Sequence, residues 1–122
     1  MRSLLIIDDH DDIRENIAEI LELAGYKTFT AENGKKGVEA AIREKPDLII
    51  CDVMMPELDG YATMIKIRQM PAFATLPIIA VTARAMPGDK EKSIAAGASD
   101  YVTKPVDTDE LLACMERWLS RR

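Results

Sequence analysis

Short apolar runs that stop at a polar residue recur along this sequence, and segments with a helical rhythm fill the spaces between them. Leu4 to Ile7 closes at Asp8-Asp9, Leu48 to Cys51 at Asp52, Pro77 to Val81 at Thr82, and Asp100 to Val102 at Thr103-Lys104-Pro105. Lys27 to Ala31 alternates polar with apolar residues and reads as one more strand. Runs this short, bounded by turn residues, suit buried strands. Between them, Ile13, Ile17, Ile20, Leu21 and Ala24 follow helical spacing as far as Gly25. Val38, Ala41 and Ile42 mark a second helix that stops before Pro46, and Tyr61, Met64, Ile65 and Arg68 share one side of a third. Pro71 and Pro77 bracket a connection, and a weaker helix from Gly88 to Ala96 halts at Gly97. The last helix carries Leu111, Leu112, Met115, Trp118 and Leu119 on one face, with Asp107 or Thr108 as N-cap. Strand and helix alternate five times, which predicts one α/β domain over residues 1–122, its parallel sheet covered on both faces.

The composition narrows the function classes. A chain of 122 residues can bury one ordinary core, and 48% apolar with 30% charged residues describes a folded protein rather than a disordered one. A net charge of −5 argues against a general nucleic-acid or anionic-membrane surface, so neither partner is expected. The one basic cluster, Arg117 with Arg121 and Arg122, ends the last helix, where cations suit the dipole. Cys51 and Cys114 show no CxxC spacing, and a reduced, cytoplasmic setting is the expectation. Met1-Arg2-Ser3 leads straight into the first strand, too short for a signal peptide, and no stretch approaches a membrane span.

In an open parallel sheet, ligands sit beyond the carboxyl ends of the strands. That rule gathers Asp8 and Asp9 from the first strand, Asp52 from the third, Thr82 from the fourth and Lys104 from the fifth at one edge. Three crowded carboxylates repel, and their charge is tolerable only with protons or cations. A hard divalent cation such as Mg²⁺, which takes one or two carboxylates and keeps waters and phosphate oxygens, answers that need. Lys104 adds a point charge and Thr82 a hydroxyl donor. A carboxylate nucleophile with such neighbours is equipped for phosphoryl transfer, and Asp52 is the candidate acceptor.

Taken together, Asp8-Asp9, Asp52 with Met55-Pro56 and Asp59-Gly60, Thr82-Ala83, Asp100-Tyr101 and Lys104-Pro105 make this chain resemble the receiver domain of two-component response regulators. The pattern runs in order along essentially the whole chain. The resemblance implies a flavodoxin-like sheet of order 2-1-3-4-5, carried over from the family rather than derived. It implies that Asp52 accepts a phosphoryl group from a histidine kinase or phosphotransfer protein. Asp9, Asp52 and the backbone carbonyl of Met54 would hold Mg²⁺, with Asp8 acting mainly through water. Lys104 would pair with the phosphoryl oxygens, Thr82 and Tyr101 would switch, and the Lys104-Pro105 peptide would be cis. Met54 and Arg84 would flank the phosphoryl group. The response would pass to a downstream protein through an altered surface.

Plainer readings stand beside these. His10 reads as a solvent-exposed loop histidine, with metal ligation or phosphorylation as the alternatives. Met54-Met55 read as packing and turn residues, Cys51 as a small buried apolar residue, and Trp118 as core. A Mg²⁺-dependent phosphatase or phosphotransferase working through an aspartyl phosphate is a competing function. The dehalogenase-like version wants D-x-D after the first strand and usually a cap, whereas Asp8-Asp9 are adjacent and the chain leaves no room for one. A scaffold that is never phosphorylated is the other competitor, disfavoured by the intact Asp8, Asp9, Asp52, Thr82 and Lys104 set. A flavin role lacks the hydroxyl- and glycine-rich loop after the first strand.

Overall fold

The strands are apolar on both sides because both sides are covered. In the computed structural model, which describes residues 2–53, 60–82 and 88–120, the order is β1 (Ser3–Ile7), α1 (Asp11–Leu23), β2 (Lys27–Ala31), α2 (Gly34–Glu44), β3 (Leu48–Asp52), α3 (Gly60–Arg68), a 3₁₀ turn (Pro71–Phe73), β4 (Ile78–Thr82), α4 (Asp89–Ala96), β5 (Asp100–Thr103) and α5 (Thr108–Leu119). All neighbouring strands run parallel, in the order β2-β1-β3-β4-β5. This is the five-stranded sheet expected from the resemblance.

Alternation along each strand sends successive side chains to opposite faces, and each face builds its own core. Leu4, Ile6, Leu48, Ile50, Ile79, Val81 and Val102 meet α1 and α5 through Ile17, Ala18, Leu21, Leu111, Cys114, Met115 and Leu119. Leu5, Ile7, Ile49, Cys51, Ile78 and Ala80 point the other way, against α2, α3 and α4 through Val38, Ala41, Met64, Ile67 and Ala96. Each fully buried Leu or Ile contributes about 1.5–3 kcal/mol over its exposed state, so the central strands supply much of the folding drive.

The helix ends follow their sequence signals. The Asn33 side chain caps α2 by accepting from Lys36 N, and Asp107 rather than Thr108 caps α5, accepting from the amides of Asp109 and Glu110. Gly97 closes α4 with φ +118°, a conformation that side-chain-bearing residues rarely adopt. One expected face is corrected. The buried side of α3 is Gly60, Thr63, Met64 and Ile67, while Ile65 is exposed and Tyr61 and Arg68 are half-buried. The helix is rotated one position from the 61/64/65/68 stripe because Gly60 must face the end of β3. Ile13 and Ile42, expected on buried faces, are also exposed.

Arg68 has a different task from packing. Its guanidinium donates to Gly97 O (2.8 Å), Phe73 O (2.7 Å) and Ser99 Oγ (3.3 Å), tying α3 to the 3₁₀ turn and to the α4–β5 turn. All three acceptors are neutral, and burial pushes the Arg68 pKa down.

Asp100, at the start of β5, gathers α5 in the same manner. Its Oδ2 accepts from Trp118 Nε1 (3.0 Å), Arg117 Nη2 (3.1 Å) and Cys114 Sγ (3.4 Å). Burial pushes the Asp100 carboxyl up, but donation from Trp118, the Tyr101 amide, Cys114 and Arg117 outweighs it and holds the group below its ordinary range. The Cys114 thiol is pushed up to about 12, by burial and then by the Asp100 charge, which makes it inert. A depressed carboxyl stabilises the fold above its unfolded-state pKa, and the stabilisation is lost as pH falls through its folded-state value. Asp100→Asn is therefore expected to lose about 1 kcal/mol at pH 7, the modest end for a charged, partly exposed acceptor. The gap to wild type should shrink at pH 3, as read by urea unfolding with Trp118 fluorescence. An equal gap at both pH values would assign the loss to packing instead.

Candidate functional site

The sheet register levels the strand ends. Ile7 pairs with Cys51, Asp52 with Val81 and Thr82 with Thr103, so the residues after β1 and at the ends of β3, β4 and β5 emerge on one edge. The strand order reverses between β1 and β3, and that is where Asp8, Asp9 and Asp52 stand.

The β1–α1 loop is held from several sides. Asp8 N donates to Ala31 O (3.1 Å), and the Asp8 carboxylate accepts from His10 N (2.8 Å). Arg14 donates to Asp8 O (2.8 Å) and to Asp11 Oδ1 (2.6 Å), fixing the first turn of α1 against the loop. Asp52 is only 1% exposed, and Lys104 Nζ reaches its Oδ2 at 3.1 Å. Lys104 is itself anchored by its amide, which donates to Thr82 O (2.6 Å); its peptide bond to Pro105 is cis, as the resemblance implied. Thr82 is buried, and its Oγ1 has no hydrogen-bond partner among the described residues. Tyr101 is half-buried against the α2–α3 side of the core, with Lys90 Nζ 6.0 Å from its ring.

One ligand atom from each of Asp8, Asp9, His10 and Asp52 lies within 4.8 Å of the others. Two carboxylates 4 Å apart repel by about 4 kcal/mol even at an effective dielectric of 20, so a single lysine does not balance three of them. Asp9 Oδ1 is buried with no hydrogen bond of acceptable geometry, although His10 Nδ1 lies 3.1 Å away. Crowded hard oxygens with one left unsatisfied fit a divalent cation, so the residues present suit Mg²⁺. The expected Met54 carbonyl lies outside the described residues, as do Met55, Pro56, Asp59, Ala83, Arg84, Arg121 and Arg122.

Of two further residues of the site, Arg14 escaped the sequence reading, and His10 entered it chiefly as a loop histidine, with metal ligation or phosphorylation only as alternatives. His10, half-exposed as a loop histidine should be, nonetheless puts Nδ1 3.0 Å from Asp8, 3.1 Å from Asp9 and 3.8 Å from Asp52. Its adjacency to Asp8-Asp9 was visible, but its direction was not. Arg14 could have been found from its i, i+3 spacing to Asp11.

The family model for the response regulator receiver domain matches residues 4–116, and this chain belongs to that family. It is 38% identical over 121 residues to the DNA-binding dual master transcriptional regulator RpaA of Synechocystis, covering 99% of this chain and 50% of that protein. The chain likewise spans about half the length of several other curated regulators that it matches. The chemotaxis protein CheY4 of Vibrio cholerae superposes with a TM-score of 0.92 at 31% identity, over 96% of this chain and 98% of that one. The receiver domain of a Pseudomonas aeruginosa sensor histidine kinase, solved with a magnesium ion coordinated in its active site cleft, gives 0.90 at 34% identity over 98% of each chain. The chain is thus a receiver domain of the two-component type, and no helix among the described residues is long and apolar enough to cross a membrane.

Gly60 sets the distance between α3 and the site. Its amide donates to Val53 O (3.3 Å), and a Cβ there would overlap the Asp52 carbonyl oxygen and the Val53 Cα, both backbone. Neither can step aside as a side chain would. Gly60→Ala is expected to destabilise the fold by about 1–3 kcal/mol and to weaken divalent-cation binding, measured by urea unfolding and calorimetry. A variant matching wild type in both would show that α3 can retreat freely.

Proposed function

We propose that this receiver takes a phosphoryl group onto Asp52 from the phosphohistidine of a histidine kinase or phosphotransfer protein. The observation that carries this reading is the convergence on one buried carboxylate of a lysine at 3.1 Å and an acidic, cation-fitting cluster. An Asp52 carboxylate oxygen forms the new bond to phosphorus, the phosphorus–nitrogen bond of the donor breaks, and the imidazole leaves with the electron pair. Asp9 and Asp52 would hold Mg²⁺, with the Met54 carbonyl as a further ligand and Asp8 acting through water, and the cation would supply positive charge against the phosphoryl oxygens. Lys104, already on Asp52 Oδ2, moves to one of those oxygens. The unpartnered Thr82 hydroxyl gains the acceptor it lacks, and Tyr101 turns inward behind it.

On this reading the chain is a signalling module over residues 1–122, not an enzyme with an external substrate. Its self-catalysed reactions are phosphoryl acceptance and autodephosphorylation. It works in the cytoplasm and passes its state to a protein target, without touching nucleic acid or membrane itself.

Incubation with acetyl phosphate and Mg²⁺ should add one phosphoryl group to the intact mass, and none to Asp52→Ala or without metal. Lys104→Ala should retain much of the phosphorylation yet fail to transmit it, seen as loss of the amide shifts that phosphorylation induces on α4 and β5. No addition to wild type under any condition would overturn the proposal, and normal shifts in Lys104→Ala would remove the lysine from the readout.

A further inference from the structure

His10 offers the nitrogen ligand atom in the acidic cluster, and its Nδ1 lies within 4.8 Å of a carboxylate oxygen from each of Asp8, Asp9 and Asp52. Ligand atoms on adjacent vertices of an octahedron with bonds near 2.1 Å stand about 3.0 Å apart. His10 Nδ1 is 3.1 Å from Asp9 Oδ1, the buried oxygen with no hydrogen bond, and 3.8 Å from Asp52 Oδ2. One ligand atom from each of Asp9, His10 and Asp52 thus lies within 4.8 Å of the others, and His10 Nδ1 also meets Asp8 Oδ1 at 3.0 Å. The backbone holds the imidazole there, because His10 N donates to the Asp8 carboxylate and His10 is the N-cap of α1, with a β-region conformation. Its side chain makes no capping hydrogen bond, and Nδ1 instead hydrogen-bonds within the cluster, to Asp8 Oδ1 at 3.0 Å, the contact a metal would have to displace or share.

Oxygen ligands suit Mg²⁺, whereas imidazole suits the later first-row metals. We propose that His10 is a direct Nδ1 ligand of the cation and that it tilts this site toward imidazole-accepting divalent metals such as Co²⁺ and Zn²⁺ relative to Mg²⁺. Binding through Nδ1 would release the Nδ1 proton to solvent and would leave the ring's proton on Nε2. The inference rests on the cation-binding part of the function proposed above and adds a selectivity that carboxylates alone do not supply. A simpler role for His10 makes a different prediction. If the imidazole only neutralised the carboxylates, removing it would strengthen the binding of every divalent cation alike.

The test is calorimetric titration of the whole chain with Co²⁺ and with Mg²⁺ at one fixed pH, for wild type, His10→Asn and Asp9→Asn. Asparagine is a favoured N-cap, so His10→Asn keeps α1 intact. The Co²⁺-to-Mg²⁺ affinity ratio is expected to fall by about tenfold or more in His10→Asn, since even outer partners of metal ligands are worth that much. Mn²⁺-loaded wild type should show ¹⁴N coupling from a bound imidazole in pulsed electron paramagnetic resonance, absent from His10→Asn. Asp9→Asn should weaken both metals together. An unchanged ratio in His10→Asn, or equal strengthening of both metals, overturns the proposal while leaving the cation site standing. Wild type that binds neither metal overturns the site itself.

Discussion

The contact between Lys104 and Asp52 joins parts of the chain that sequence keeps far apart. Asp52 ends the central strand β3, and Lys104 follows β5, so their 3.1 Å pairing closes the sheet edge across the end of β4. A carboxylate 1% exposed is costly to hold without a cation, and one ammonium does not offset Asp8 and Asp9 as well. The fold keeps this charge in place because the sheet below is apolar on both faces and cannot shift its register. A one-residue slip would send Asp52 toward a core and replace it at the edge. The site thus holds more negative charge than Lys104 balances, a surplus that a divalent cation would offset.

The helices around the sheet are attached unequally. α1 and α5 pack through Ile17, Leu21, Leu111, Met115 and Leu119. Among the described residues, α4 buries Ser93 and Ala96, and the Ser93 hydroxyl has no hydrogen-bond partner. Exposed cation–π contacts add to it, Lys92 over Tyr61 at 4.5 Å and Lys90 over Tyr101 at 6.0 Å. Such contacts are worth little beside buried leucines. The helix with the weakest apolar hold thus lies beside the half-buried Tyr101, while its far end is clamped by Arg68 on Gly97. An element held this way is the one that a small change at Thr82 and Tyr101 can displace at least cost.

Much of this was legible in the residues. Apolar runs ending at Asp8, Asp52, Thr82 and Lys104 located the strands and the functional edge, because strand burial and ligand placement obey simple rules. The strand order came with the family resemblance and not from the pattern. The α3 face was misread, since helical spacing alone admits two neighbouring stripes and only the close approach of Gly60 to Asp52 selects between them. His10 was read first as a loop histidine, with metal ligation as an alternative, because the sequence shows its adjacency to the acids but not where the loop turns its side chain. Arg68 looked like a helix-face residue because its partners, Phe73, Gly97 and Ser99, are close only in the folded chain.

The claim on which the rest depends is that the reactive group is the Asp52 carboxylate, with Lys104 and the acidic cluster in its service. Reductive trapping tests it most directly. Borohydride reduces an acyl phosphate on aspartate to homoserine, and peptide mass spectrometry then places the change on a single residue. After phosphorylation, homoserine should appear at position 52 and nowhere else. A phosphoryl group that resists borohydride and maps to His10, 3.8 Å away, would contradict the assignment and make the histidine the acceptor.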